Sequence, residues 1–119
     1  MSEPDILELS ALDRLKEWGG DKLLGQMIRL FLENAPNRMA QIRAGADGGD
    51  IKESEKGAHS LKSSAANVGA HLLRNIAADM ERVAASGDSP AVVALLPDLE
   101  RAFSQAIAAL ESVERGLSA

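Results

Sequence analysis

The 119-residue chain contains no cysteine, and its aromatic residues are limited to Trp18, Phe31 and Phe103. The lack of cysteine excludes disulfides and thiolate metal sites, and it fits a reducing compartment. No apolar run approaches the roughly 20 residues that a membrane span needs. The N-terminus also lacks the basic and apolar regions of a signal peptide. The sequence therefore predicts a cytoplasmic protein that does not insert into a membrane.

Basic residues are in the minority. Lys and Arg number 13 against 18 Asp and Glu, which leaves a formal net charge of −5 at pH 7. An acidic surface argues against nucleic acid as a partner. β-branched and aromatic residues are scarce beside alanine and leucine, and such a composition favours helices packed on helices. At this length we expect one domain, residues 1–119, around one core.

Apolar residues recur at helical spacing in five segments that glycines separate. A short helix begins with a capping box at Ser10 and stops at Gly19-Gly20, and Asp50 is expected to cap the helix that begins at Ile51. Pro36 should bend a helix or remove one of its hydrogen bonds. The predicted longer helices span about 21–45, 51–68, 70–86 and 89–115. Short loops make neighbouring helices antiparallel, so we predict an all-α, antiparallel up-down four-helix bundle with a short additional N-terminal helix.

The stretch AHSLKSSAANVGA, residues 58–70, places a histidine on one of these helices. At about 100° per residue, Leu61 and Val68 lie on the side opposite His59. These two large apolar residues must face the core, so His59 should project into solvent. The residues within about 60° of His59 are all polar or small. They are Lys52, Glu55, Lys56, Lys62, Ser63 and Ala66.

An exposed imidazole beside ammonium groups and small residues suits reaction with a phosphoryl group. Its free nitrogen is nucleophilic near pH 7, and lysine stabilises phosphoryl oxygens. An ordinary solvated polar face remains an alternative, and so does a metal site built on Glu55 and His59. The di-iron bundle pattern, however, needs two inward-facing Glu-x-x-His copies, whereas Glu55 and His59 are four residues apart, point outward and have no second copy. No catalytic triad, phosphate loop or paired carboxylate motif indicates an autonomous enzyme, and His71 is interpreted as a surface or capping residue.

Residues 59–70, HSLKSSAANVGA, resemble the signature of histidine phosphotransfer (HPt) domains of bacterial phosphorelays. That signature reads His-x-Leu-Lys-Gly-Ser/Ala, with a Gly-Ala some residues later. The early Leu-x-x-Leu helix, the Gly-Gly-Asp turn and the Phe-Leu-x-x-Ala-Pro stretch at 31–36 extend the resemblance over essentially the whole chain. The resemblance implies that His59 is the phosphoacceptor, through the nitrogen farther from the backbone, and that Lys62 contacts the phosphoryl group. Ser63 stands where the family most often has glycine, and its small size would keep His59 accessible.

The resemblance further implies a passive, monomeric carrier without kinase activity, resident metal or cofactor. Its partners would be receiver domains, which supply phospho-aspartate and magnesium, or a hybrid sensor histidine kinase. Lys52, Glu55, Lys56 and Ala66 would then border the docking surface. A helical adaptor that binds such partners without being phosphorylated is the alternative. The presence of both His59 and Lys62 argues against that alternative, because an adaptor would be expected to have lost one of them.

Overall fold

A computed structural model describes residues 6–118, and within that range the chain forms four α-helices and no strand. The helices are α1 (Leu9–Gly48), α2 (Ile51–Asn67), α3 (His71–Ala85) and α4 (Ser89–Ser118). α1 and α3 each contact both α2 and α4, whereas α2 and α4 barely touch each other. The helices thus surround a common core, and the all-helical prediction is confirmed. None of the described helices is long and apolar enough to cross a bilayer.

The backbone of α1 breaks at two adjacent glycines. Gly19 has φ −152° and ψ 15°, and Gly20 has φ 68° and ψ −165°, both outside the helical region. The positive φ of Gly20 is open to glycine at little cost because glycine has no Cβ. The stop that the sequence predicts after Trp18 coincides with this break.

Of three local predictions, the capping box at Ser10 was wrong, and those for Asp50 and Pro36 hold only in part. α1 begins at Leu9, so Ser10 lies inside the first turn, where its hydroxyl is 3.4 Å from Glu8 Oε1 and closes no capping box. Asp50 occupies the N-cap position of α2, but its side chain makes no capping hydrogen bond. The backbone also keeps helical dihedral angles through Pro36, whose neighbour Ala35 is buried. Packing of the buried side outweighs the one hydrogen bond that proline removes.

The core is formed by the apolar side of each helix. The residues at its centre are each at most 3% exposed: Leu24, Ile28, Phe31, Ala35, Met39, Ile42, Ala58, Leu61, Ala65, Leu73, Ala77, Met80, Leu99, Ala102, Ala106 and Leu110. Leu61 of α2 and Val68, which directly follows this helix, are both buried, as the helical spacing predicts. Burial of this side of α2 leaves its opposite side to solvent.

Helices α1 and α2 approach closely around Gly45 and Ser54. The Ser54 hydroxyl is fully buried and donates a hydrogen bond of 2.9 Å to the Ile42 carbonyl oxygen. A Cβ on Gly45 would lie 2.6 Å from Ser54 Oγ and 2.7 Å from the Asp50 carbonyl oxygen. Real Cβ atoms do not approach backbone so closely, so glycine allows α2 to begin against the end of α1.

The turn between α2 and α3 depends on a second glycine. Gly69 has φ 69°, and its carbonyl oxygen accepts a hydrogen bond of 2.6 Å from the Glu8 amide. A Cβ at this position would lie 2.8 Å from the Glu8 carbonyl oxygen. Because Gly69 has no Cβ, it can adopt the left-handed conformation of the turn and also let the N-terminal segment pack directly against it.

Gly45→Ala should lower the free energy of unfolding by about 1–3 kcal/mol, because the added methyl group meets backbone atoms that cannot move aside. The gain in helix propensity, about 0.5–1 kcal/mol, offsets only part of that loss. Denaturant melts measure the net change in the free energy of unfolding. Gly48→Ala is the matched control, since a Cβ there meets nothing within 4 Å, and it should be at least as stable as wild type. Equal stability of the two variants would contradict the packing argument.

Candidate functional site

His59 lies in the middle of α2, on the side opposite the core. Its side chain is 64% exposed, whereas Ala58 and Leu61 beside it are fully buried. The prediction that this histidine projects into solvent is confirmed. The imidazole is thus held by a rigid, packed helix and remains open to a partner molecule.

A carboxylate from α3 connects His59 to Lys62. Glu81 Oε2 lies 2.6 Å from His59 Nδ1, and the other oxygen, Oε1, lies 2.6 Å from Lys62 Nζ. An ionised carboxylate can only accept hydrogen bonds, so Nδ1 must carry the proton and donate it to Glu81. Nε2 of the neutral ring is then left unprotonated, with its lone pair available for reaction.

The pKa of Glu81 lies below its ordinary value, so this carboxyl group is ionised at neutral pH. The Lys62 ammonium, which donates a hydrogen bond to this carboxylate, lowers the pKa of Glu81, and the hydrogen bond from His59 lowers it further. Partial burial of the carboxyl group acts in the opposite direction and is outweighed. Glu81 is therefore a permanent acceptor for the proton on His59 Nδ1.

A shallow depression of about 460 Å³ lies beside the imidazole. Its lining consists of Lys52, Glu55, Lys56, His59, Ser60 and Glu81. The structure thus brings together three of the residues that the sequence places on the docking surface with the histidine itself. Lys62 is not among the lining residues, and its ammonium group is paired with Glu81.

The lysines around His59 form a less basic surface than the sequence of α2 indicates. Lys56 Nζ lies 3.5 Å from Glu53 Oε1, and Lys62 is paired with Glu81. The sequence of α2 does not reveal Glu81, because that residue arrives from α3. The surface near His59 therefore carries alternating charges.

Ser63 and Ala66 continue the exposed side of α2 beyond His59. Ala66 borders a groove of about 270 Å³ that Trp18 and Met27 of α1 also line. The predicted small residues are thus exposed and bare, as the helical spacing indicates. Two surfaces meet along α2: the charged depression beside His59 and an apolar groove toward α1.

Glu81 is the residue of this site that sequence reasoning missed. It lies 22 positions from His59, so no local spacing connects the two. The sequence nevertheless contained one indication that the two residues are neighbours. His59 precedes the Gly69 turn by ten residues and Glu81 follows it by twelve, so two helices folded at that turn would place them side by side.

His71 has a different environment. It is the partly exposed first residue of α3, and its Nε2 lies 3.3 Å from the side-chain amide of Asn75. The structure places no carboxylate or lysine against it comparable to those at His59. Within residues 6–118 no three His, Cys, Asp or Glu side chains lie close enough together to hold a metal ion.

Comparison with known proteins agrees with this geometry. The family model of the Hpt domain matches residues 26–113, so the chain belongs to the Hpt domain family. Its function is that of a phosphorelay carrier in two-component signalling, and members of the family carry phosphoryl groups rather than act as enzymes. The resemblance found in residues 59–70 is thereby confirmed.

A solved structure shows the same fold. The crystal structure of histidine-containing phosphotransfer protein B (HptB) from Pseudomonas aeruginosa PAO1 matches with a TM-score of 0.87 and 24% identity, over 95% of this chain and 97% of that chain. No curated protein sequence matches the chain significantly. The likeness to HptB is evidence for the shared helical architecture.

Glu81→Ala should change the proton position on neutral His59. In the wild type Nδ1 carries the proton, and removal of the acceptor should increase the population protonated on Nε2. ¹⁵N–¹H correlation spectra of the imidazole, recorded above the pKa of histidine, measure this population. Glu55→Ala is the control, because Glu55 lines the same depression without a hydrogen bond to the ring. An unchanged tautomer in Glu81→Ala would show that the carboxylate does not orient His59.

Proposed function

We propose that His59 accepts a phosphoryl group on Nε2 from the phospho-aspartate of a receiver domain and passes it to an aspartate of a second receiver. The observation that carries this assignment is the hydrogen bond from His59 Nδ1 to Glu81. This hydrogen bond leaves the nucleophilic lone pair on Nε2, the ring nitrogen that faces away from α3. No other histidine among residues 6–118 has such a partner.

The transfer step is a displacement at phosphorus. The Nε2 lone pair forms the new P–N bond while the P–O bond to the aspartate breaks, and the aspartate carboxylate leaves with the electron pair. Positive charge then develops on the imidazole. Glu81, which is ionised and bound to Nδ1, stabilises that charge and keeps the proton in place.

Lys62 is proposed to contact the phosphoryl oxygens. Its ammonium lies 2.6 Å from Glu81, one helical turn beyond His59, and its side chain is 33% exposed. A rotation of this long side chain moves the ammonium from Glu81 toward the anionic oxygens as they arrive. Lys62 is therefore expected to pair with Glu81 in the unphosphorylated protein and with the phosphoryl group once His59 is phosphorylated.

The residues around His59 are proposed to contact the receiver. Lys52, Glu55 and Lys56 form a charged border on one side of the imidazole, and Ser63 and Ala66 form a bare surface on the other. Charged groups at the border of an interface chiefly affect the rate of association and its salt dependence. The small residues allow the receiver's aspartate to reach Nε2.

The receiver is proposed to supply the magnesium, and this chain to have no kinase activity of its own. Residues 6–118 contain no carboxylate cluster that would hold the ion. The phosphoacceptor network of His59, Lys62 and Glu81 is complete within a single chain, which supports a monomer. The absence of cysteine supports a cytoplasmic location.

The finer architecture is also a proposal. We propose an up-down antiparallel bundle in which residues 9–18 form a short additional helix, within one domain of residues 1–119. The short turns at 68–70 and 86–88, the contacts between successive helices and the backbone break at Gly19-Gly20 support it. The ends of that domain, residues 1–5 and 119, lie outside the described residues.

Incubation with a phosphorylated receiver domain should give the wild-type protein a phosphate that is labile in acid and stable in alkali. His59→Gln should take up none, because the only nucleophile held by Glu81 is gone. His71→Gln is the matched control and should be labelled as wild type. Label that persists in His59→Gln would refute the assignment, and a wild type that binds the receiver without being labelled would identify an adaptor.

Changes at Ser63 should separate stability from function. Ser63→Leu should leave the melting temperature unchanged, since the side chain is exposed, yet block transfer by standing over the imidazole. Ser63→Gly should transfer as well as wild type and cost roughly 0.5 kcal/mol of stability through weaker helix propensity. Ser104→Leu, at an exposed serine of α4, controls for added apolar surface. Full-rate transfer by Ser63→Leu would show that this side of α2 is not covered by the partner.

A further inference from the structure

Ser63 is an exposed serine one helical turn beyond His59, and its hydroxyl has no hydrogen-bond partner within residues 6–118. A serine in or beside a helix often donates to the carbonyl oxygen three or four residues earlier. Ser86, at the end of α3, donates in this way to the Val83 carbonyl oxygen at 2.8 Å. The Ser63 hydroxyl makes no such bond and is therefore a free donor at the surface.

The small size of Ser63 does not account for its hydroxyl. Alanine would leave His59 equally accessible, and α2 has alanine at positions 58, 65 and 66. Alanine is also the best helix former, whereas serine lowers helix stability at an interior position. The hydroxyl is thus a feature of Ser63 that the fold itself does not use.

Lys62 and Ser63 lie on opposite sides of His59 around the helix. At about 100° per residue, Lys62 is about 60° to one side of the histidine and Ser63 about 40° to the other. Lys62 Nζ pairs with Glu81 of α3 at 2.6 Å, so its side of α2 is the side toward α3. Glu81 also holds His59 Nδ1, which directs Nε2 away from α3. Ser63 therefore borders the ring nitrogen that is proposed to receive the phosphoryl group.

Few donors are available to a phosphoryl group on this side of α2. Lys56 is already paired with Glu53 at 3.5 Å, and Lys52 is two turns away, roughly 10 Å along the helix axis. Ser63 is one turn away, and side chains four residues apart have Cβ atoms about 5–6 Å from each other. Its side chain also leans toward the turn that carries His59. A phosphoryl oxygen that extends beyond Nε2 thus comes within hydrogen-bond reach of the Ser63 hydroxyl.

We propose that the Ser63 hydroxyl donates a hydrogen bond to a phosphoryl oxygen on phosphorylated His59 and so helps this chain retain the group. This inference rests on the proposed function. A phosphoryl group carries negative charge and strong acceptor oxygens, so the bond is charge-assisted. It forms only after the phosphoryl group has reached Nε2, and it breaks when the group leaves. Ser63 therefore stabilises the phosphorylated carrier and slows the outward step without affecting the inward one.

The test measures how the phosphoryl group distributes between this chain and a receiver domain of the source organism that exchanges it rapidly. ³²P-labelled receiver, carrier and magnesium are mixed, and the label in each protein is measured when exchange reaches its plateau. Ser63→Ala should shift this equilibrium toward the receiver by about threefold to tenfold, as expected for the loss of one exposed hydrogen bond. The rate of loading should be unchanged, and the rate of outward transfer should rise by the same factor.

Two variants serve as controls. Ser63→Thr keeps the hydroxyl and should retain the wild-type distribution. Ser64→Ala makes the same substitution at the next residue, which lies about 140° from His59 and lines the groove toward α1. It should also distribute the phosphoryl group as wild type, because its hydroxyl is on the wrong side of the helix.

The outcomes distinguish this hydrogen bond from the proposed function. A wild-type distribution in Ser63→Ala would overturn the hydrogen bond and leave the assignment of His59 intact. An equal shift in Ser64→Ala, or a Ser63→Thr protein that behaves as Ser63→Ala, would also overturn it, since the effect would not depend on the Ser63 hydroxyl. The phosphoacceptor itself is tested by His59→Gln. Label in that variant would overturn the assignment of His59, and the role of Ser63 with it.

Discussion

Burial of one side of α2 is the constraint on which the rest of the site depends. Ala58, Leu61 and Ala65 pack fully into the core. Residues on the opposite side of the same helix must therefore face away from the core. His59 is consequently exposed by the same packing that stabilises the fold. Gly45 and the buried Ser54 hydroxyl hold the N-terminal half of this helix close to α1. The imidazole of His59 is therefore carried by a helix whose position the core fixes.

The reactive state of the histidine is decided by a neighbouring helix. Glu81 accepts a hydrogen bond from His59 Nδ1 and another from Lys62 Nζ, so one carboxylate sets the tautomer of the imidazole and restrains the ammonium nearby. Lys62 in turn lowers the pKa of Glu81. Lys62 and His59 both stabilise the ionised carboxylate of Glu81, and Glu81 in turn holds both side chains by hydrogen bonds. In the proposed transfer, this arrangement leaves Nε2 unprotonated and its lone pair available for attack.

Charge and apolar surface are divided along α2. Beside His59 the lysines alternate with Glu53, Glu55 and Glu81, so the site is close to neutral despite an acidic chain. Toward α1 the lining becomes apolar, with Trp18 exposed at its end. Repulsion between this acidic chain and an acidic partner is largely screened beyond the Debye length, roughly 8 Å at physiological salt, so contacts inside that distance decide whether such a partner binds.

The sequence by itself determined the helices, the direction of His59 and the family. These features follow from local periodicity, from glycines at the segment ends and from the HSLKSSAANVGA stretch, all of which are legible within a few helical turns. The sequence did not determine how α1 begins. There, capping by residues of the helix itself competes with packing of the N-terminal segment against Gly69. Nor did it determine the partner of His59. Glu81 lies on another helix, and only the folding of α3 against α2 at Gly69 brings its carboxylate to within 2.6 Å of the imidazole. The exposure of Trp18 likewise depends on tertiary structure, because Leu12 and Leu15 of its segment occupy the contact with the core and turn the indole outward.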